Sequence, residues 1–339
     1  MCVYLYVELY INKQNMATSL KTTFAGIELK NPIIASASPL TMTVEQCVNL
    51  EKAGVSAIVV KSIFEESVAH NADKLADMLS HGEETDYLDG YIGEQMLTEW
   101  RTLLRGVKSH CTIPVIASIA GITPNCWIRY AQAAAEEGVD GLELNFMNVG
   151  LADRNTKFGT IERNFVDIAL SIRKATNLPI AVKIASNITT YAKLIDRMAA
   201  IGINGAVLFN RPYPVDIDVE RLEYTTGQPF TSPNNLATPL RWTGIISAEV
   251  PNIDLALSGG VHSWQDVVKA ILAGASAVEI CSALHHHGLD YVSEMLQGIE
   301  DWQERHFEES IEGYRGKMNA SKQKYAEELK RAQHLHFNI

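Results

Sequence analysis

Residues 254–284 read DLALSGGVHSWQDVVKAILAGASAVEICSAL, the most informative run in the chain. Asp254–Ser258 is a short apolar segment of the kind that forms a buried strand. Gly259-Gly260 interrupts it, and Ser263–Ala273 then carries the spacing of a helix with a polar residue at its start. Gly274 ends that helix, and Ala277–Ile280 is apolar and strand-like again. The junction of helix end, glycine, short turn and strand recurs in KAGVSAIVV (52–60), EEGVDGLEL (136–144) and AIGINGAVLF (200–209). Four copies of one junction indicate a repeated αβ unit.

The same alternation extends through the chain. Eight strands are predicted at Pro32–Ser36, Ala57–Lys61, Pro114–Ile119, Gly141–Asn145, Ile180–Ile184, Gly205–Phe209, Asp254–Ser258 and Ala277–Ile280. Helices are predicted at Thr43–Ala53, Pro124–Glu137, Asn164–Thr176, Thr189–Ile201, Leu240–Glu249 and Ser263–Ala273. Eight βα units with right-handed crossovers close into a (β/α)8 TIM barrel, an α/β fold. The absence of G-x-G-x-x-G after the first strand speaks against a doubly wound sheet. Long loops follow strand two (Ile63–Gly93) and strand six (Arg211–Pro239), at the strand ends where barrels build their sites. Residues 1–17 are expected to be an extension outside the fold, with Met16 as a candidate start. Residues 18–315 would form the barrel and 316–339 a helical tail. Helix is expected over Leu289–Ala332, with KQKYAEELKRAQ (322–333) as a solvated surface helix.

Composition narrows the functional class. The chain has 339 residues, 47% hydrophobic and 20% charged, enough for a large core. Its formal net charge of -11 argues against a broad nucleic-acid surface. Five scattered cysteines without C-x-x-C fit neither a disulfide framework nor a zinc site, so a reduced cytoplasmic setting is expected. No run reaches the ~18 apolar residues of a membrane span, so no membrane association is expected.

The candidate chemistry gathers at strand ends. Ser258-Gly259-Gly260 and Cys281-Ser282 end strands seven and eight, where glycines and helix N-termini suit a phosphate. Lys61 and Lys183 lie inside apolar strands, where an ammonium must be paired or serve an anion. Both are expected to project into the barrel mouth, facing an anionic ring edge or a carboxylate; an internal salt bridge is the alternative. Asn145 and Asn210 offer donor and acceptor groups for a heterocycle, or else cap strand ends. Arg211 is a candidate carboxylate anchor, with an ion pair to Asp216 or Asp218 as the other reading. His285-His286-His287, at the start of the last helical region, is read as surface histidine rather than metal ligand; no metal is expected.

LKNPIIASAS, MTVEQ, VVKS, PVIASIAG, LELN, IAVKI, LSGGVHSWQDVVKAILAGASAVEICSAL and HG occur in an order and spacing that resembles the dihydroorotate dehydrogenase family. The resemblance runs from about Thr22 to Tyr314 and is most specific over Leu257–Gly288. It implies an FMN-containing barrel that oxidises dihydroorotate to orotate in pyrimidine biosynthesis, an oxidoreductase acting on a CH–CH bond. By position it places Ser36 and Ala37 under the flavin ring, and matches Lys61 and Ser62 to the flavin-binding K-S/T after strand two, where the lysine lies between flavin and substrate. Asn145 would contact flavin and substrate, and Lys183 the N1/O2 edge. Ser258, Gly259, Gly260, Cys281 and Ser282 would hold the phosphate, and Asn210 the substrate. After strand four the family's soluble members have N-x-S-C-P-N, whose cysteine is the base. Here the run is Asn145-Phe146-Met147-Asn148-Val149-Gly150, so Asn148 stands at the base position, and an amide has no useful protonation equilibrium. Alternative bases on loops would be His70, His81, Cys126 or Asp153. The readings left open are dihydroorotate oxidation, another cyclic substrate, FMN binding without dihydroorotate turnover, or a barrel lyase or isomerase using Lys61 or Lys183 as a Schiff-base lysine. A small-molecule substrate, a soluble electron acceptor and a homodimer are the expected partners.

Overall fold

A computed structural model describes residues 18–67, 85–147, 157, 159–212 and 214–331 of the chain. Eight parallel strands close a barrel. In chain order they are β3 (Ile33–Ala35), β4 (Ala57–Phe64), β5 (Val115–Ala120), β6 (Gly141–Phe146), β7 (Ile180–Ala185), β8 (Gly205–Asn210), β11 (Asp254–Ser258) and β12 (Ala277–Ile280). β12 pairs with β3 to complete the ring, with Glu279 opposite Ile34. All eight predicted strands are present, with ends shifted by a few residues.

The local signals explain the crossovers. Thr43 caps helix Val44–Ala53 by accepting the Gln46 N–H, and Gln46 returns a contact to the cap backbone. Gly54 ends the helix at φ 110°, a conformation that favours glycine. Thr123 caps Pro124–Glu136 by accepting the Cys126 N–H, with Pro124 in the first turn.

A small antiparallel hairpin, β1 (Thr22–Phe24) and β2 (Ile27–Leu29), closes the end of the barrel opposite the site; the periodicity alone did not single it out. Phe24, Ala25, Ile27 and Leu29 pack against the inward-facing Ile34, Val59, Ile116 and Val207. Gly205 makes the room: a Cβ there would lie 2.9 Å from Ala25 Cβ and 3.0 Å from the Phe24 ring.

The two long loops are shorter than expected. β4 runs on to Phe64, and a helix occupies Thr85–His110, so part of Ile63–Gly93 is regular structure. Arg211–Pro239 contains a hairpin, β9 (Val215–Asp218) with β10 (Glu223–Thr226), then a 3-10 turn, Pro233–Leu236, leading into helix Ala237–Glu249. Local antiparallel pairing satisfies backbone groups that a plain loop would leave to water.

Among the described residues the C-terminal region forms three helices, Tyr291–His306, Ile311–Tyr314 and Gln323–Lys330, rather than one continuous stretch. The Gly316 and Met318 N–H groups donate to Ile271 and Leu272, and Ala320 N–H to Gly244, which lays this segment on the outer helices. Glu327 pairs with Arg331 as the i,i+4 pattern suggests, while Leu329 rests on Gly244, so one side of this helix is packed and not solvated.

Candidate functional site

The C-terminal ends of the strands open into a cavity of about 490 Å³. Its wall includes Ser36 and Ala37 after β3, Lys61 and Ser62 on β4, Asn145 on β6 and Lys183 on β7. Asn210, Arg211, Ser258, Gly259, Gly260, Cys281 and Ser282 complete the set of candidates gathered there. These residues lie far apart in sequence, and the barrel register alone brings them to one mouth. Asn148 is outside the described residues, as are His70, His81 and Asp153.

Lys183 does not project freely. Its Nζ lies 2.5 Å from Glu279 Oε2 and 2.9 Å from Ser36 Oγ, and the Ser36 hydroxyl donates to the same Glu279 oxygen. Glu143 Oε1 is 3.7 Å from the ammonium and accepts the Ser118 hydroxyl at 3.0 Å. Ser118 Oγ lies 2.8 Å from Ser62 Oγ. The internal salt bridge is therefore present, yet Lys183 remains part of the cavity wall. Both acids were missed, although the signal was available: one acidic residue inside each apolar strand, in LELN and AVEI.

The three charged groups are almost wholly shut from solvent. Burial opposes the charge on Lys183, but Glu143 and Glu279 outweigh it and hold the ammonium above its ordinary value. Burial, reinforced by Glu279, pushes Glu143 well above the usual carboxylate value. Burial also works against Glu279, but Lys183 overcomes it and draws that carboxyl down. Lys183 thus favours the charge on Glu279, while burial and Glu279 disfavour it on Glu143.

Lys61 has no carboxylate within ion-pair distance among the described residues; its Nζ sits 5.2 Å from the centre of the Phe64 ring. Burial lowers its value, the Cys281 sulfur opposes this, and Lys183 adds to it. An unpaired, partly desolvated cation beside a cavity is suited to an anionic ligand. Asn210 Nδ2 donates to Asn145 Oδ1 at 2.6 Å, joining the two amides. Arg211 makes no ion pair with Asp216 or Asp218 among the described residues; its guanidinium donates to the Phe230 carbonyl at 2.7 Å. Cys126 is a poor base, its thiol pushed up to about 11 chiefly by burial. The three histidines end the short helix Ser282–His287 rather than opening a longer one, and His285 stacks on Phe230 at 3.8 Å.

The glycine loop shows what the mouth can hold. Gly259 and Gly260 have φ of 98° and 82°. A Cβ on Gly260 would fall 2.2 Å from the Leu236 nitrogen, so only glycine fits, whereas one on Gly259 would meet nothing within 4 Å. Neither glycine N–H has a partner among the described residues. Thr231 N–H donates to Ser282 Oγ at 3.0 Å, drawing the connection after β8 over this loop. Open backbone donors beside free space, with two lysines across the cavity, fit a ligand carrying a phosphate at one end and a ring with an anionic edge at the other.

Comparison with known proteins points the same way. The family model described as dihydroorotate dehydrogenase matches residues 19–302. Among curated proteins, the catalytic subunit of dihydroorotate dehydrogenase B (NAD(+)) from Pyrococcus abyssi is 26% identical, over 83% of this chain and 92% of that protein. The protein of the same name from Methanocaldococcus jannaschii is 23% identical over 83% and 92%. That from Alkaliphilus metalliredigens is 24% identical over 88% and 99%.

Proposed function

The chain belongs to the dihydroorotate dehydrogenase family, oxidoreductases acting on CH–CH groups, and from that premise we propose that its mouth cavity binds FMN and oxidises dihydroorotate or a close cyclic amide. The observation that carries this reading is the single cavity shared by the glycine loop, Lys61 and Lys183. FMN, when bound, supplies a two-electron acceptor for hydride from a ring carbon. Gly259, Gly260, Cys281 and Ser282 hold the phosphate, and Ser36, Ala37, Ser62 and Asn145 hold the ring. Lys183 presents a fixed cation to the ring edge, where preorganised charge is worth more than in water. Lys61 orients the substrate and balances its charge, and the joined amides of Asn145 and Asn210 read its carbonyl and N–H groups.

Arg211 anchors the substrate carboxylate with the part of its guanidinium not used by Phe230. Arg211→Ala is expected to raise KM about tenfold or more, as loss of a charge-assisted hydrogen bond does, with a smaller change in kcat. An unchanged KM assigns Arg211 to holding Phe230 alone.

The relatives are named catalytic subunits of an NAD(+) enzyme, and on this reading the electrons leave this chain through a second, soluble protein that reduces NAD. Alternatively they pass to a soluble acceptor directly from a homodimer. Adding dihydroorotate to the FMN-loaded chain without oxygen tests the substrate. Bleaching of the flavin band confirms it. A flavin that stays oxidised, yet bleaches with another cyclic amide, transfers the site to that substrate, as Asn148 at the base position favours.

A further inference from the structure

Two buried acids face one buried ammonium in the wall of the cavity. If all three were ionised, the cluster would hold one surplus negative charge away from water. Glu143 Oε1 accepts the Ser118 hydroxyl, but Glu143 Oε2 is buried and receives no hydrogen bond among the described residues. A bare carboxylate oxygen left without a donor is costly in such a place. A proton on Oε2 removes the surplus charge and turns an orphaned acceptor into a donor for the neighbouring Glu279.

We infer that Glu143 and Glu279 hold one proton between them, so that Lys183 is matched by a single negative charge whichever acid carries it. The two acids are positioning residues: they act through Lys183, and neither is assigned a contact with substrate. Ser36 and Lys183 bind Glu279 and favour the charge there, while Ser118 alone serves Glu143. The other charged or titratable side chains facing the cluster are Lys61 and Cys281, both on the cavity wall. Glu143 and Glu279 lie on the same wall, and Ser118 joins Glu143 to Ser62 by a hydroxyl pair.

The proton arm of the test needs no flavin. Infrared spectra of the full FMN-free chain at neutral pH should show the carbonyl stretch of a protonated buried carboxylic acid. Glu143→Gln should abolish the band. Glu279→Gln should abolish it too, because Glu143 then ionises to match Lys183. The second arm rests on the FMN reading above. Each single variant should leave the reduced-to-oxidised ratio of bound flavin within tenfold of the parent at a fixed poise. The double variant Glu143→Gln/Glu279→Gln, with Lys183 uncompensated, should raise it by more than tenfold, about 30 mV for a two-electron couple. No acid band in the parent chain, or a band that survives both single substitutions, overturns the inference. So does Glu143→Gln shifting the flavin as far as the double variant. A chain that takes up no FMN defeats the flavin reading and leaves the infrared result to decide the shared proton.

Discussion

Lys183→Met is expected to destabilise the protein by roughly 3–5 kcal/mol near neutral pH, the usual cost of leaving a buried charge without its partner. The orphan is Glu279, which loses the 2.5 Å contact and is left with no cation, only the Ser36 hydroxyl and the proton inferred on Glu143. Urea unfolding gives the value, and the second substitution Glu279→Gln should recover much of it. A loss below about 1 kcal/mol would mean that water reaches the cluster, as it does for exposed pairs. The pH dependence carries a sign for each group. Glu279 has a lowered value when folded, so its contribution is present above about 4.5 and is lost as pH falls through the folded value. Glu143 has a raised value, so its contribution is complete below about 4.5 and declines as pH rises toward the folded value. Relative to the parent chain, Glu143→Gln should therefore gain stability as pH increases across that window. In Lys183→Met the uncompensated acid is driven upward, and the cost of the substitution should shrink as pH falls.

Gly260→Ala is the second large effect. The added methyl would stand 2.2 Å from the Leu236 nitrogen and 2.6 Å from the Asn235 carbonyl carbon, backbone atoms that cannot swing away as a side-chain tip can. The φ of 82° adds strain of its own. Overpacking and a disfavoured backbone together should cost roughly 3 kcal/mol or more. Because the loop is the proposed phosphate grip, FMN affinity should fall at least tenfold even where the chain still folds. Gly259→Ala is the comparison: its methyl meets no protein atom, so its effect on folding should be smaller and confined to backbone strain. Equal stability of parent and Gly260→Ala in denaturant would show that the turn Pro233–Leu236 does not pack on this loop.

The barrel was legible in the sequence because its signal is repeated. Four copies of one helix–glycine–strand junction, with caps at Thr43 and Thr123, are local features that the folded chain keeps. The cavity wall was legible for a different reason: Lys61, Lys183 and the glycine pair are residues that apolar strands and tight turns do not otherwise use. The hairpin under the barrel was harder to find. Phe24, Ile27 and Leu29 are three-residue strands' worth of pattern, too short for period two to stand out, and only the space at Gly205 explains where they go. Glu143 and Glu279 were overlooked because a lysine inside a strand draws attention to its own charge, while the partner lies 96 residues away and is supplied by barrel closure. Arg211 illustrates the same limit. Sequence proximity suggested Asp216 or Asp218, but both acids lie on the first strand of the hairpin, Asp218 pairs with Arg221, and the Arg211 guanidinium meets the Phe230 carbonyl instead.

The account depends most on the mouth cavity being a flavin site. Purified chain mixed with FMN and passed through a desalting column tests this directly by the visible spectrum of the protein fraction. Equimolar flavin should elute with the parent chain, and much less with Gly260→Ala. Flavin that elutes entirely free of the parent chain, at every concentration tried, would contradict it.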